Sequence, residues 1–217
     1  MKILLVAATR VEISILIENF NLPDGDFIQS ENFDLLITGV GMTATAFALG
    51  QKLSDKYGLV LNLGIAGSFN KKIPLGTLLN INSDEFSELG AEDDAEFLTI
   101  EELGFGKGAY NVVNNLLDDR FENIKKVKGI TVNMVHGKKS SIDQIVKRLN
   151  PTTESMEGAA VLYCCEQLAI PCLQMRSISN YVEPRNKENW NIGLAIANLN
   201  KWAIDFLTNG QLSSFRL

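Results

Sequence analysis

The sequence contains a single histidine, His136, and only three cysteines. A zinc site built on two or three histidines is therefore excluded. Cys164 and Cys165 are adjacent, and Cys172 follows Pro171. No C-x-x-C pair or even-numbered framework exists, so buried thiols in a reducing compartment are expected, and with them a cytoplasmic protein. Aromatic residues make up 8% of the chain, and no apolar run nears the roughly 18 residues a membrane helix needs. The opening MKILLVAATRVE meets Arg10 and Glu12 too early for a secretory leader. Positive charge is also short, with 20 Lys and Arg against 26 Asp and Glu, for a net charge of −6. Phosphate backbones demand clustered cations, so a broad nucleic-acid surface is excluded. Between Lys72 and Lys107 there is no basic residue at all, while nine acids fall from Asp84 to Glu102. This stretch reads as a solvated acidic surface, or as loops bordering a pocket or a partner subunit.

What remains is an ordinary globular chain of 217 residues, 46% of them hydrophobic. That length suits one domain spanning 1–217, with no repeat, low-complexity tract or linker to divide it. Short apolar runs recur at Ile3–Ala8, Phe33–Val40, Leu59–Leu63, Thr77–Ile81, Gly129–Met134 and Cys172–Ile178. Continuous apolarity over five or six residues predicts strands covered on both faces. Helical spacing lies between them. Ile142, Ile145, Val146 and Leu149 follow a Ser140–Ser141 start and precede Pro151, and the stripe Ile192, Ala195, Ile196, Leu199, Trp202, Ala203, Phe206 runs four turns. The segment after Glu157, GAAVLYCCEQLA, is apolar nearly all round and predicts a central helix. Strand–helix alternation throughout predicts an α/β domain, three layers deep, with a largely parallel mixed sheet.

In such sheets ligands sit beyond the carboxyl ends of the strands. Gly39-Val-Gly41-Met-Thr-Ala44 follows a strand and opens a helix, matching the G-x-G-x-x-A dinucleotide pattern. A nicotinamide site would also need an acid about 20 residues on, and LVLNLG at 59–64 has none. A tight turn bringing backbone N–H groups to a ligand is left. Gly64-Ile-Ala66-Gly67 is a turn, or a place where backbone approaches a flat ligand. Glu12, after the first strand, is either a helix-dipole partner or functional. Glu157 is a first-turn acid or a carboxylate waiting for sugar hydroxyls, with Met156 offering a soft apolar face beside it. Asn180, where the last strand runs out, is a loop residue or a rigid two-donor, one-acceptor reader. His136 has no evident triad partner and reads as a loop histidine.

Taken in order, MKILLVAATRVE, TGVGMTATA (38–46), NLGIAGS (62–68), ESMEGAA (154–160) and RSISN (176–180) resemble the purine nucleoside phosphorylase and nucleosidase superfamily. The chain departs from the methylthioadenosine/S-adenosylhomocysteine nucleosidases at Asn180, where they carry a catalytic aspartate. DEFSELGAED (84–93), TVNMVHG (131–137) and RSISNYVEPRNKENW (176–190) are most similar to the futalosine hydrolase family. The resemblance implies a nucleoside phosphorylase-like fold, no metal or organic cofactor, a homodimer or higher homo-oligomer, and release of hypoxanthine from futalosine in menaquinone biosynthesis. It implies Glu12 as general base, Glu157 at the ribose hydroxyls, Met156 against the sugar, and Asn180 at the departing base. Arg176 would fix Glu12 or its loop, and Ala66, Gly67 and Val132 would line the base pocket. A cation for the substrate's benzoate is also implied, with Arg185, Lys138 and Lys139 as candidates.

The chemistry of Asn180 supports a 6-oxopurine independently. Adenine offers an amino group at C6, which suits a protonated aspartate. Hypoxanthine offers a carbonyl, to which a carboxamide can donate while accepting from N7–H. An adenine-releasing nucleosidase and a purine nucleoside phosphorylase stay open as alternatives.

Overall fold

The computed structural model describes residues 2–94, 96–112 and 123–209. Residue 1 and residues 210–217, the ends of the expected domain, lie outside the described residues. The apolar runs become β1 (Lys2–Ala7), β3 (Phe33–Ile37), β4 (Tyr57–Ser68), β5 (Leu78–Phe86), β9 (Lys126–Thr131) and β11 (Cys172–Tyr181). Short strands join them: β2 (Phe27–Gln29), β8 (Ala109–Asn111) and β10 (Thr153–Ser155). Among the described residues the nine make one mixed sheet in the order β10-β9-β5-β11-β4-β1-β3-β2, with β8 on β5. β1 runs parallel to β3 and β4, β4 to β11, and β5 to β9, whereas β11 and β5 are antiparallel.

Alternation along β1 shows why the sheet is covered twice. Ile3, Leu5 and Ala7 pack with Leu199, Ala203 and Phe206 of one helix layer, α1 (Ser14–Asn19) and α5 (Ile192–Asn209). Leu4 and Val6 face the other way, onto Leu49 of α2 (Met42–Lys52) and Val161, Leu162 and Cys165 of α4 (Gly158–Gln167). A period of two that is apolar in both phases can only be satisfied by two covering layers. α3 (Lys139–Leu149) lays Ile145 on Ile130 and Val132. The C-terminal stripe is buried at Ala195, Leu199, Ala203 and Phe206, but its first member, Ile192, is exposed. α4 is likewise buried through Leu162 and opens to solvent at Tyr163.

One feature of the topology makes the site. β10 pairs in parallel with β9 and also, antiparallel, with β4, through Thr153–Ser68 and Glu154–Gly67. The strands β4, β11, β5, β9 and β10 thus close into a ring, and Ala66, Ile73, Leu79, Ile81, Val127 and Ile178 pack together in one cluster. The carboxyl ends of β4 and β11 meet β10 at the closure.

The acidic stretch divides. Glu92 and Asp93 sit on an exposed hairpin of β6 (Gly90–Asp93) and β7 (Glu96–Thr99), as a solvated surface should. Asp84 instead is wholly buried in β5.

Candidate active site

Two glycines on β4 organise the site. Gly64 pairs with Arg176 of β11, and a Cβ there would lie 3.1 Å from Glu12 Oε1 and 3.2 Å from the Arg176 guanidinium. Gly67 lies between Asn180 of β11 and Glu154 of β10, and its Cβ would lie 3.2 Å from Asn180 Nδ2 and 3.5 Å from Glu154 Cγ. Two pairs of polar side chains therefore lean over two positions of β4 that carry no side chain of their own. Three residues of strand separate the pairs, about 10 Å. The run of small residues in NLGIAGS has a physical reason here: a methyl group at 64 would press on Glu12 and Arg176, and one at 67 on Val182 and Asn180.

Glu12 leaves β1 in a single 3-10 turn, Val11–Ile13. Its Oε2 accepts from the Thr9 N–H and the Thr9 hydroxyl, both at 3.0 Å, and Oε1 accepts from the Ile65 N–H at 3.2 Å. Burial pushes its carboxyl above the ordinary range, with Glu157 adding to the rise, while Arg176 and the Ile65 N–H oppose it. Arg176 is 2% exposed, donates from one Nη to Met175 O at 3.2 Å, and leaves its Nε without a partner. It is therefore a buried cation whose charge reaches Glu12, not a surface residue.

Glu157 stands at the start of α4, but its carboxylate does not cap that helix. Oε1 accepts from the Gly41 N–H at 2.9 Å and Oε2 from the Met156 N–H at 3.3 Å. Gly41 has φ 96°, a conformation that glycine adopts without strain, so the turn after β3 does aim an N–H inward, at a protein carboxylate. Asn180 accepts from the Ser179 hydroxyl at 2.8 Å and donates to Tyr181 O at 3.1 Å, which leaves one N–H and one lone pair available.

Asn180 and Gly67 open onto a cavity of ≈ 70 Å³ that is also lined by His136, Glu154, Arg185 and Trp190. Ala66 and Val132, expected in the base pocket, do not line this cavity; both belong to core clusters, and Met156 packs against the Val132 cluster. Arg185 stacks on Trp190 at 5.0 Å at the Asn180 end, and Lys139 is tied to Asp143 at 2.6 Å. A much larger cavity, ≈ 720 Å³, lies between α2, α4 and the β5–β8 region, with walls that include Met42, Phe86, Tyr110 and Tyr163. None of Glu12, Glu157 or Asn180 lines it, so size alone would misplace the chemistry.

A model of the phosphorylase superfamily matches residues 34–208. The chain belongs to that superfamily. Within it, the chain is 31% identical to the futalosine hydrolase of Streptomyces coelicolor over 188 residues, covering 82% of this chain and 77% of that protein, which places it in the futalosine hydrolase family. The structure of futalosine hydrolase from Helicobacter pylori superposes with a TM-score of 0.81 at 18% identity, covering 97% of this chain and 98% of that one. The 5'-methylthioadenosine/S-adenosyl homocysteine nucleosidase from Helicobacter pylori superposes equally well, TM-score 0.80 and 18% identity, over 97% and 99% of the two chains. Those two likenesses establish the superfamily's fold and do not separate its reactions.

Three parts of the site in this superfamily member escape a reading of the sequence. Thr9 holds Glu12, a role that only its spacing of three residues hints at. Glu154 and His136 form a pair, with the ring Nδ1 2.7 Å from Glu154 Oε2. Asp84 is the third. Its carboxylate accepts from Gln174 Nε2 at 2.6 Å and Thr131 Oγ1 at 2.9 Å, and the Ala159 N–H donates to Thr131 Oγ1 at 2.7 Å. A Cβ on Gly158 would overlap Asp84 Oδ2, so this glycine lets the start of α4 close over the carboxylate.

Burial pushes the Asp84 carboxyl up to about 6, against its hydrogen bonds and the charge of Arg176. A carboxyl raised by folding binds its proton more tightly in the folded state. Its contribution to stability is thus complete below about pH 4 and is lost as pH rises through about 6, roughly 3 kcal/mol in all. The stability difference between wild type and Asp84→Asn, measured by urea unfolding, should therefore move against the wild type by roughly that amount between about pH 4 and 7. A difference independent of pH would refute this account.

Proposed function

We propose that the protein hydrolyses the N-ribosidic bond of futalosine, releasing hypoxanthine and dehypoxanthine futalosine, as a step of menaquinone biosynthesis. The observation that carries this reading is the carboxamide of Asn180 at Gly67 and the half-buried carboxylate of Glu12 at Gly64, three residues apart on β4. Glu12 takes a proton from the attacking water as C1′ gains oxocarbenium character. Glu157 accepts from the ribose hydroxyls, with the Gly41 N–H fixing its aim, and Met156 lies against the sugar. Asn180 donates to O6 and accepts at N7–H, stabilising the purine as charge develops on it. Arg176 keeps Glu12 oriented from beneath. Gly67 gives the base its floor, with Ala66 and Val132 supporting the pocket wall from behind.

Phosphorolysis would need an oxyanion site in place of water. Arg10, the arginine nearest Glu12 in sequence, is directed away, donating to Gly25 O at 2.7 Å and Pro23 O at 3.3 Å and pairing with Asp24 at 3.2 Å. A panel of futalosine, inosine and methylthioadenosine, with and without phosphate and read by the base released, tests the assignment. Hypoxanthine from futalosine without phosphate is expected. Phosphate dependence would make the protein a phosphorylase, and preference for methylthioadenosine an adenine-releasing nucleosidase.

The same reading includes a cytoplasmic homo-oligomer. Phe47, Phe105 and Met134 are 67%, 79% and 75% exposed, and Phe105 belongs to the wall of the large apolar cavity. Apolar surface of that extent favours coverage by a second copy. Phe47→Glu should lower the mass seen by light scattering to the 23.9 kDa of one chain, whereas a wild type already at that mass would refute the assembly.

A further inference from the structure

Asn180 can read a purine edge but has no proton to release. A 6-oxopurine that leaves with the C1′–N9 electron pair departs more easily if a ring nitrogen is protonated as the bond breaks. On the hydrolytic reading above, another group must supply that proton or the base must leave as an anion.

The cavity onto which Asn180 opens holds one candidate. His136 and Glu154 line it together, and Glu154 flanks Gly67 on the side opposite Asn180. Glu154 is 4% exposed. It accepts from the His136 backbone N–H at 3.1 Å and meets the ring Nδ1 at 2.7 Å. Two tethers from one carboxylate fix both the loop and the ring, and they assign a proton to Nδ1. Nε2 makes no hydrogen bond among the described residues. The ring also borders a second cavity of ≈ 620 Å³ on its other side, a route by which a spent proton can be replaced from solvent.

We propose that His136, held by Glu154, is the acid that protonates the departing purine. The imidazolium, with protons on both nitrogens, gives the Nε2 proton to the purine's imidazole edge as C1′–N9 breaks and its electron pair enters the ring. Water adds to C1′ and loses its proton to Glu12. The products are neutral hypoxanthine and the free ribosyl hydroxyl, with His136 neutral and Glu12 protonated. Glu12 then returns its proton to solvent, and His136 takes one up. Glu154 is the counter-charge of the imidazolium. The other charges facing the ring are Glu183 and Arg185 across the small cavity. Across the larger one they are Glu92, Asp94 and Glu96 with Lys147 and Arg148.

The test is the pH profile of kcat/KM for release of hypoxanthine from futalosine by wild type and by His136→Asn. The asparagine amide can keep the bond to Glu154 but has no proton to transfer. The variant should lose about 100-fold or more in kcat, with KM within about threefold, and its profile should lack the part of the high-pH fall that the imidazole contributes. Ionisation of the substrate's own N1–H is common to both proteins and cancels in the comparison. A variant that keeps the wild-type profile, at whatever level of activity, overturns the proposal, as does a kcat within about threefold of wild type. His136→Gln provides a second variant, and melting curves confirm that both fold. Failure of the hydrolytic reading is distinct: it appears in the wild type, as no hypoxanthine released.

Discussion

Glu12→Gln is expected to lower turnover on futalosine by roughly 10²–10⁴, the range for loss of an acid–base group. Affinity for hypoxanthine, measured by calorimetry, should remain within about threefold, because the base rests at Gly67 and Asn180, about 10 Å along β4. The size of the loss follows from the surroundings. Two donors from Thr9 and one from Ile65 occupy the carboxylate and leave about one lone pair directed elsewhere. A glutamine would turn its amide toward one of those N–H groups, leaving donor against donor at a cost of about 1–3 kcal/mol. The melting temperature should therefore fall too, and activity must be measured well below it. The pH profile gives a separate check. Burial raises the Glu12 carboxyl, and a base acts only when ionised, so wild-type activity should fall on acidification at a pH above the ordinary glutamate range. That limb should be missing from the residual activity of the variant. Turnover within tenfold of wild type would remove Glu12 from the chemistry and would favour a binding protein that keeps the fold without the reaction.

Much of this arrangement is legible in the sequence, and for identifiable reasons. The long strands are apolar in both phases, so β1, β4 and β11 announce a sheet covered on two faces. Glu12 follows β1, Glu157 opens α4, and Gly64, Gly67 and Asn180 fall near the carboxyl ends of β4 and β11, where a doubly covered sheet puts its ligands. Both strands run on past the apolar runs, however, so the turn expected at 64–67 is strand. The short strands are harder. β10 has three residues, Thr-Glu-Ser, with no apolar pattern, and it exists because Gly67 and Ser68 of β4 offer an edge more than eighty residues away. The closure of the ring is therefore invisible locally, and everything that depends on it is invisible too. His136 reads as a loop histidine without a partner because Glu154 reaches it only through that register. Asp84 reads as one of nine surface acids because nothing in the local sequence reveals Gln174, Thr131 and Gly158 closing around it. The turn at Gly41 was legible in kind but not in object: its N–H meets the carboxylate of Glu157, which a sequence pattern for phosphate binding would never suggest.

Asn180→Asp should shift the ratio of kcat/KM for adenine-bearing over hypoxanthine-bearing nucleosides by roughly 10²-fold or more toward adenine, since a site that hydrogen-bonds one edge rejects an edge that leaves donors facing donors. The native amide is held with its oxygen on the Ser179 hydroxyl and its nitrogen on Tyr181 O. An ionised aspartate would set an oxygen against Tyr181 O, two acceptors in contact, whereas a protonated one satisfies both neighbours. That single proton, turned from Tyr181 O to the base, is the one that can go to N7 of adenine while the other oxygen accepts from its amino group. An unchanged ratio would mean that position 180 does not read C6, and the substrate assignment would lose its chemical basis. The same variant bears on His136. A protonated aspartate can supply the proton that asparagine cannot, so the Asn180→Asp background should feel the loss of His136 less. A double-mutant cycle with His136→Asn should then be non-additive, the second substitution costing at least about tenfold less in kcat on an adenine nucleoside than it costs the wild type on futalosine. Equal losses in both backgrounds would show that the histidine and residue 180 do not share the task of protonating the base.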